Sequence, residues 1–423
     1  MLRVAMISVH TCPLARLGSR ETGGMNVYIR ELSRHLGARD VKVDVFTRRQ
    51  DTGTPEVVEF ADNARVIHLE AGPPRPMDKY SVLEQLPHFS WSLGRFRERE
   101  GLEYQLVHSH YWLSSRVAGL FAETWKVPLV TMFHTLGRLK NRVMTNGHER
   151  ERLARIQIER EAMLGSNLVV AASPTDMEQM VRYYGAPPSR IQVVPGGVDT
   201  AIFRPTDRSM ARHLLGMGPE KQLLFVGRIQ QLKGIDLLLK AFGYLLEGWG
   251  SEPKPRLTVV GGRNPVDASD PEAMEMERLR GLVRELGLTG SVVFQGAVPQ
   301  QRLPLYYSAA DVVVVPSLYE SFGLVALEAM ACGAPVVASR VGGLQWTVKD
   351  GETGFLVRRR NPGLFAIAVG RILRDGDLHA RLSRRAVEVA GGYSWDMVAD
   401  RILDIYRKLA PAPRSEGRLV CHC

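Results

Sequence analysis

Short, nearly continuous apolar runs recur along the chain, and most are followed by segments whose apolar residues return every three or four positions. The first run covers residues 2–9 and reads as a buried strand. After a loop over residues 10–24, Met25, Ile29, Leu32 and Leu36 form one apolar helical face, with Gly37 expected to stop the helix. Further strands are predicted at 41–47, 65–69, 105–108, 129–133 and 168–172, with helical patterns in most of the gaps. The run Pro195-Gly196-Gly197-Val198-Asp199 through Phe203-Arg204-Pro205 interrupts the alternation and reads as a linker. Beyond it, strands are predicted at 222–229, 257–260, 292–294, 311–315 and 335–338, and residues 350–357 read as a turn into a short strand.

Apolar strands alternating with helices define an α/β protein with parallel sheets covered on both faces and ligands at the carboxyl ends of the strands. At 423 residues the chain is too long for one ordinary core, so two Rossmann-like domains facing a cleft are expected, over residues 1–203 and 204–390. Ser394 is placed to cap a last helix from 395 to about 408, within a segment 391–410 that precedes a tail, 411–423.

With 45% hydrophobic and 24% charged residues, neither disorder nor a fibrous class is expected. The formal net charge of +10 suits an acidic ligand such as a nucleotide diphosphate, an acidic membrane surface or nucleic acid, and charge alone does not choose among them. No finger spacing or aromatic-basic platform accompanies that charge, so nucleic acid is not the expected partner. Cys12, Cys332, Cys421 and Cys423 are too few and too uneven for a disulfide framework, which points to a reducing compartment. The terminal Cys-His-Cys is read as a tail and not a metal site. No apolar stretch is long enough for stable membrane insertion, and a cytoplasmic protein is expected.

The chemistry gathers where strands are predicted to end. Ser317 to Gly333 begins at such an end and runs into an Ala- and Leu-rich helix expected over 322–331, so the amides of Ser321, Phe322, Gly323 and Leu324 would face a ligand. Glu320 lies in the turn and Glu328 inside the helix, two carboxylates suited to the hydroxyls of an extended ligand. Gly23 and Gly24 make a second approach point, where the missing Cβ atoms admit an anion to a helix N-terminus. In Gly227-Arg228-Ile229-Gln230-Gln231-Leu232-Lys233-Gly234, Arg228 offers a planar fork and Lys233 a point charge, a pair suited to a diphosphate.

Other polar clusters carry weaker signals. His108 and His110, one residue apart on a strand, are expected to point to opposite faces and to serve packing or hydrogen bonding. His134 beside Thr135 reads alone as structural. Arg155 and Glu159 have the spacing of a solvated helical ion pair. Asp375-Gly376-Asp377 resembles a metal motif but lies far from the predicted cleft, and no metal is assigned.

The stretch Glu320-Ser321-Phe322-Gly323-Leu324 through Glu328 and on to Gly333 resembles the donor motif of retaining nucleotide-sugar glycosyltransferases of the GT-B type, family 4 or group 1. Gly227-Arg228 with Lys233-Gly234 matches the diphosphate signature of the same family. Gly23-Gly24-Met25-Asn26 within its flanking sequence resembles the inositol-phosphate branch. In that branch the positions of Lys79, Tyr111, Thr135 and Arg155 hold the acceptor phosphate and that of Asn26 contacts the acceptor ring. The resemblance implies that Arg228, Lys233, His134 and Glu320 serve catalysis by positioning and charge stabilisation. It further implies that Glu328 binds the donor ribose, that no cofactor is required, and that the last helix crosses back to the first domain. The implied partners are a nucleotide-sugar donor, carrying glucose or N-acetylglucosamine on UDP, and a small phosphorylated acceptor, with a homodimer left open as the assembly. Sucrose-phosphate synthases share much of the pattern, which makes fructose 6-phosphate the alternative acceptor. A nucleotide-sugar sensor and an epimerase or phosphorylase are the alternatives of other classes.

Overall fold

The computed structural model describes residues 1–15, 22–144, 150–250, 253–262, 270–358 and 360–410. The terminal Cys-His-Cys and the tail from 411 lie outside the described residues.

The first domain is built on β1 (Arg3–Ile7), β2 (Lys42–Arg48), β3 (Val57–Ala61), β4 (Ala64–Leu69), β5 (Leu106–His110), β6 (Leu129–Met132), β7 (Leu168–Ala171) and β8 (Ile191–Val193), in the order β3-β4-β2-β1-β5-β6-β7-β8. Every pairing is parallel except β3 with β4. The antiparallel edge departs from the all-parallel expectation. Its strand, Val-Val-Glu-Phe-Ala, is only half-buried and so lacks the continuous apolar run that marked the central strands. The three-residue β8 also escaped the sequence pattern.

The second domain contains β9 (Gln222–Val226), β10 (Arg256–Val260), β11 (Val292–Gly296), β12 (Val312–Val315), β13 (Val336–Ser339) and β14 (Gly354–Val357), in the order β11-β10-β9-β12-β13-β14, all parallel. Val312 to Val315 are all buried, as a strand covered on both faces requires. The order of the parallel strands reverses between β1 and β5 in the first sheet and between β9 and β12 in the second. A crevice opens at such a switch point.

The first helix, Gly24–Gly37, buries Val27, Tyr28, Ile29, Leu32 and Leu36. Gly37 does not stop it by a left-handed turn: it remains helical, and a Cβ there would lie 1.9 Å from the Asp62 carbonyl oxygen, so glycine admits the β3–β4 turn. The last helix, Trp395–Leu409, starts where the Ser394 hydroxyl accepts from the Met397 amide. It packs on the first helix and sends Tyr406 to His108 of β5, hydroxyl to Nδ1 at 2.6 Å. The linker and the approach to this helix run side by side, joined by Val198 N–H to Tyr393 C=O at 2.8 Å. A Cβ on Gly196 would press to 2.8 Å from Phe322, which explains a glycine where the linker meets the Ser317–Gly333 stretch. No helix among the described residues is long and apolar enough to cross a membrane.

Candidate active site

The two crevices face each other. Gly23, at the entrance of the first helix, lies against Arg228, whose Nε would be 3.7 Å from a Cβ there, and Gly24 lies under Leu324. Arg228 follows β9. Lys233 closes a short 3₁₀ turn, Gln231–Lys233, before the helix Ile235–Glu247. Its ammonium meets the Glu320 carboxylate at 2.6 Å, with both side chains about one-fifth exposed. The cation expected on a diphosphate and the carboxylate expected on a sugar thus hold each other here, partly open to solvent.

The predicted helix after β12 is shorter than expected: it runs Leu324–Ala331, with Gly323 at its N-cap at φ 96°. Ser321 and Phe322 remain in the preceding turn. Among the described residues, the amides of Ser321, Phe322, Gly323 and Leu324 donate to no protein acceptor, so they are available to a ligand. Gly342 and Gly343 support this turn closely. Cβ atoms there would lie 1.9 Å from the Glu320 carbonyl oxygen and 2.2 Å from that of Ser321, and the Gly343 amide donates to Glu320 at 2.9 Å. The contact joins the turns after the neighbouring strands β12 and β13, so no local sequence pattern reveals it.

Glu328 is buried and accepts from the Tyr307 hydroxyl at 2.9 Å. Burial raises its pKa to about 7 despite that hydrogen bond. In the unfolded chain the group ionises near 4.5, so between those values the folded protein binds more protons and stability falls as pH rises. The whole shift corresponds to about 3 kcal/mol. Asp176, also raised to about 7 by burial, acts in the same direction. Thermal melts from pH 4.5 to 8 are therefore expected to decline less steeply in Glu328→Gln than in the unaltered protein; parallel curves would refute the assignment to Glu328.

His134 and Tyr111 end β6 and β5 in left-handed backbone, at φ 60° and 77°. Such conformations cost energy in non-glycine residues and mark candidate functional positions. His134 Nε2 lies 2.9 Å from His110 Nδ1, and Tyr28 packs edge-on to its ring. Burial lowers the His134 pKa to about 3, leaving a neutral imidazole. His108 and His110 do not point to opposite faces. Residues two apart on a strand share a face, and their ring centroids are 4.3 Å apart. They serve hydrogen bonding, to Tyr406 and His134 respectively.

Arg155 and Glu159 are not a solvated pair: both side chains are fully buried, with Nε 2.7 Å from the carboxylate. The remaining Arg155 nitrogens donate to the Tyr111 hydroxyl at 3.0 Å and to the Thr135 carbonyl and hydroxyl at 2.9 and 3.1 Å. Glu151, which sequence reasoning missed, lies 2.9 Å from Arg155 and 2.6 Å from Lys79, and also binds Lys140. Its position four residues before Arg155 was the available signal. Lys79, Tyr111, Thr135 and Arg155 are therefore assembled in one place. Asn26 is buried beside the glycine pair, donating to the Thr11 hydroxyl at 2.7 Å and the Cys12 carbonyl at 2.8 Å and accepting from the Gly23 amide at 2.9 Å. In this state its amide shapes the loop.

Tyr319 joins the two crevices, its hydroxyl accepting from the Leu136 amide at 3.1 Å and pairing with the Ser321 hydroxyl at 3.0 Å. Asp375 caps the helix Gly376–Gly391 by accepting from the Leu378 amide, which accounts for an aspartate there. Among the described residues, no group of three or more histidine, cysteine or acidic side chains is arranged to hold a metal.

Two facing α/β domains with basic and carboxylate groups along one cleft are the architecture of GT-B glycosyltransferases. Residues 22–202 match the model of Glycosyltransferase Family 4, and 211–389 that of Glycosyl transferases group 1. The chain belongs to this glycosyltransferase family and is an enzyme of that class. It is 42% identical over 408 residues to a D-inositol 3-phosphate glycosyltransferase of Acidothermus cellulolyticus, covering 96% of this chain and 90% of the relative. A second relative so named, from Catenulispora acidiphila, is 42% identical over 412 residues, covering 96% and 95%. Among solved structures, sucrose-phosphate synthase from Thermosynechococcus elongatus superposes with a TM-score of 0.89 at 35% identity, covering 97% of this chain and 99% of that one. HepE of Anabaena, solved with UDP-glucose, shares the fold at 21% identity with a TM-score of 0.73, over 97% and 100% of the two chains.

Proposed function

We propose that this glycosyltransferase moves a sugar from UDP-N-acetylglucosamine or UDP-glucose to inositol 3-phosphate with retention of anomeric configuration. The convergence of Lys79, Tyr111, Thr135 and Arg155 on one cluster beside the cleft carries this reading, because four residues far apart in sequence form a single cationic, hydroxyl-bearing site. Relatives named for inositol 3-phosphate support the acceptor. Cleavage of the donor puts charge on the departing diphosphate, where Arg228, Lys233 and the amides near Gly23 and Gly24 would stabilise it. Glu320 and the amides from Ser321 to Leu324 would orient the sugar, His134 its far edge and Glu328 the ribose, while Asn26 would meet the acceptor ring. The departing phosphate would take the acceptor proton on the face it leaves, so no separate base is assigned and no cofactor is needed.

Lys79→Ala is expected to raise the acceptor KM by about 10–100-fold, the worth of one charged hydrogen bond, with a much smaller effect on the donor KM. Equal losses on both substrates would remove Lys79 from the acceptor side. The likeness to sucrose-phosphate synthase supports fructose 6-phosphate as the alternative acceptor. An α-linked product, read from the coupling between the anomeric proton and its neighbour in the transferred sugar ring, is the outcome expected of retention from these α-linked donors; a β-linked one would overturn it.

A further inference from the structure

Every nitrogen of Arg155 is already engaged. Nε donates to Glu159, Nη1 donates to the Tyr111 hydroxyl and lies 2.9 Å from the Glu151 carboxylate as an ion pair, and Nη2 donates to the carbonyl and hydroxyl of Thr135. An incoming anion needs at least one of these positions. Tyr111 and Thr135 are neutral, and Glu159 is held by two 3.0 Å contacts from the Gly137 amide as well as by Tyr184. Glu151 is the charged partner whose place another anion can take.

Its surroundings are those of a bound anion. The Glu151 side chain is wholly buried, yet it is reached by Lys79 and Lys140, which are 22% and 18% exposed, and by the Tyr80 hydroxyl at 2.9 Å. Three cations, Lys79, Lys140 and Arg155, therefore meet one carboxylate, with Glu159 as the only other carboxylate bound to Arg155 among the described residues. Burial alone would raise the Glu151 pKa, but Arg155, Lys140 and Lys79 hold it well below the usual carboxylate range. Burial, then Lys79 and Arg155, lower the Lys140 pKa to about 8. Three cations against the two carboxylates Glu151 and Glu159 leave the cluster with a net positive charge. The Glu151 backbone is pinned in both directions to the Asn141 side chain, at 2.7 and 2.9 Å. An exchange would consequently move the side chain and leave the backbone in place.

We propose that Glu151 is an internal occupant of the acceptor's anion pocket, which an acceptor phosphate enters by displacing its carboxylate from Lys79, Lys140 and Arg155. The inference rests on the acceptor site proposed above, and adds Lys140 as an anion ligand and Glu151 as the residue that sets selectivity. A neutral polyol cannot displace a carboxylate from three cations. A phosphate dianion can, since it brings greater charge and three acceptor oxygens.

Inorganic phosphate is the probe, titrated calorimetrically into the full-length protein and its Glu151→Gln and Lys140→Gln variants, alongside acceptor KM values for inositol 3-phosphate. Glu151→Gln is expected to bind phosphate about tenfold or more tightly, since one like charge in contact with the ligand is removed at protein-like dielectric, and Lys140→Gln about tenfold more weakly. The acceptor KM should follow the same order. Glu151→Asp, which draws the charge back by one methylene, should also tighten phosphate binding, and it carries the test if Glu151→Gln does not fold. Weaker binding in both Glu151 variants would make Glu151 a scaffold for the cations and overturn the exchange, as would equal binding in all forms or none in any. Tighter phosphate binding without glycosylation of inositol 3-phosphate would leave the exchange standing and remove the proposed acceptor. Glycosylation with unaltered phosphate binding would do the reverse.

Discussion

Arg228→Ala is expected to lower kcat by about 10²–10³-fold, the usual cost of removing a group aimed at charge that develops in the transition state. Arg228 stands where β9 ends, against the glycine pair that opens the first helix, so its fork is presented to the cleft from the second domain toward the first. Lys233 cannot fully replace it. That ammonium is a point charge on the other side of the turn, engaged with Glu320 at 2.6 Å. Single-turnover measurement at saturating substrates separates the outcomes: a slow chemical step supports transition-state stabilisation, whereas a normal step with a raised donor KM would reduce Arg228 to ground-state binding.

Arg155→Ala is expected to destabilise the protein by about 3–5 kcal/mol, because it leaves the buried Glu159 carboxylate without its cation. Glu159 would keep the Gly137 amide and the Tyr184 hydroxyl, and Glu151 would keep two lysines, but neither arrangement restores the fork. For a domain of about 200 residues this corresponds to a Tm lower by roughly 6–20 °C. Arg155→Lys should recover only part of the loss, since one ammonium cannot serve acceptors on four residues. A Tm within a degree or two of the unaltered protein for Arg155→Ala would contradict the buried network. The same substitution would also abolish acceptor binding, so Lys79 is the better probe of that function.

The central strands were legible because burial on both faces writes a continuous apolar run, as in Val312 to Val315. The edge strands were not: β3 is only half-buried, and β8 is three residues long and partly exposed. Motif positions in the second domain were equally readable: Arg228, Lys233, Glu320 and Glu328 lie in two contiguous stretches after β9 and β12, where a strand-to-helix pattern is enough to place them. The first-domain cluster could not be derived locally. Lys79, Tyr111, Thr135, Lys140, Glu151 and Arg155 come from separate loops and helices, and their meeting depends on the order of β5, β6 and β7. Helical spacing made Arg155 and Glu159 look like a surface pair, because a heptad-scale pattern reports which side chains are adjacent and not whether solvent reaches them. Likewise, the left-handed backbone at Tyr111 and His134 leaves no mark in composition.

The reaction proposed is glycosyl transfer to a phosphorylated acceptor held at the Lys79–Arg155 cluster. Release of UDP from UDP-N-acetylglucosamine and from UDP-glucose, each with inositol 3-phosphate, fructose 6-phosphate or no acceptor, tests it most directly. Rapid release with inositol 3-phosphate, absent without acceptor and depressed in Lys79→Ala at subsaturating acceptor, is the predicted result. Release that proceeds equally without acceptor, or with fructose 6-phosphate alone, would contradict it.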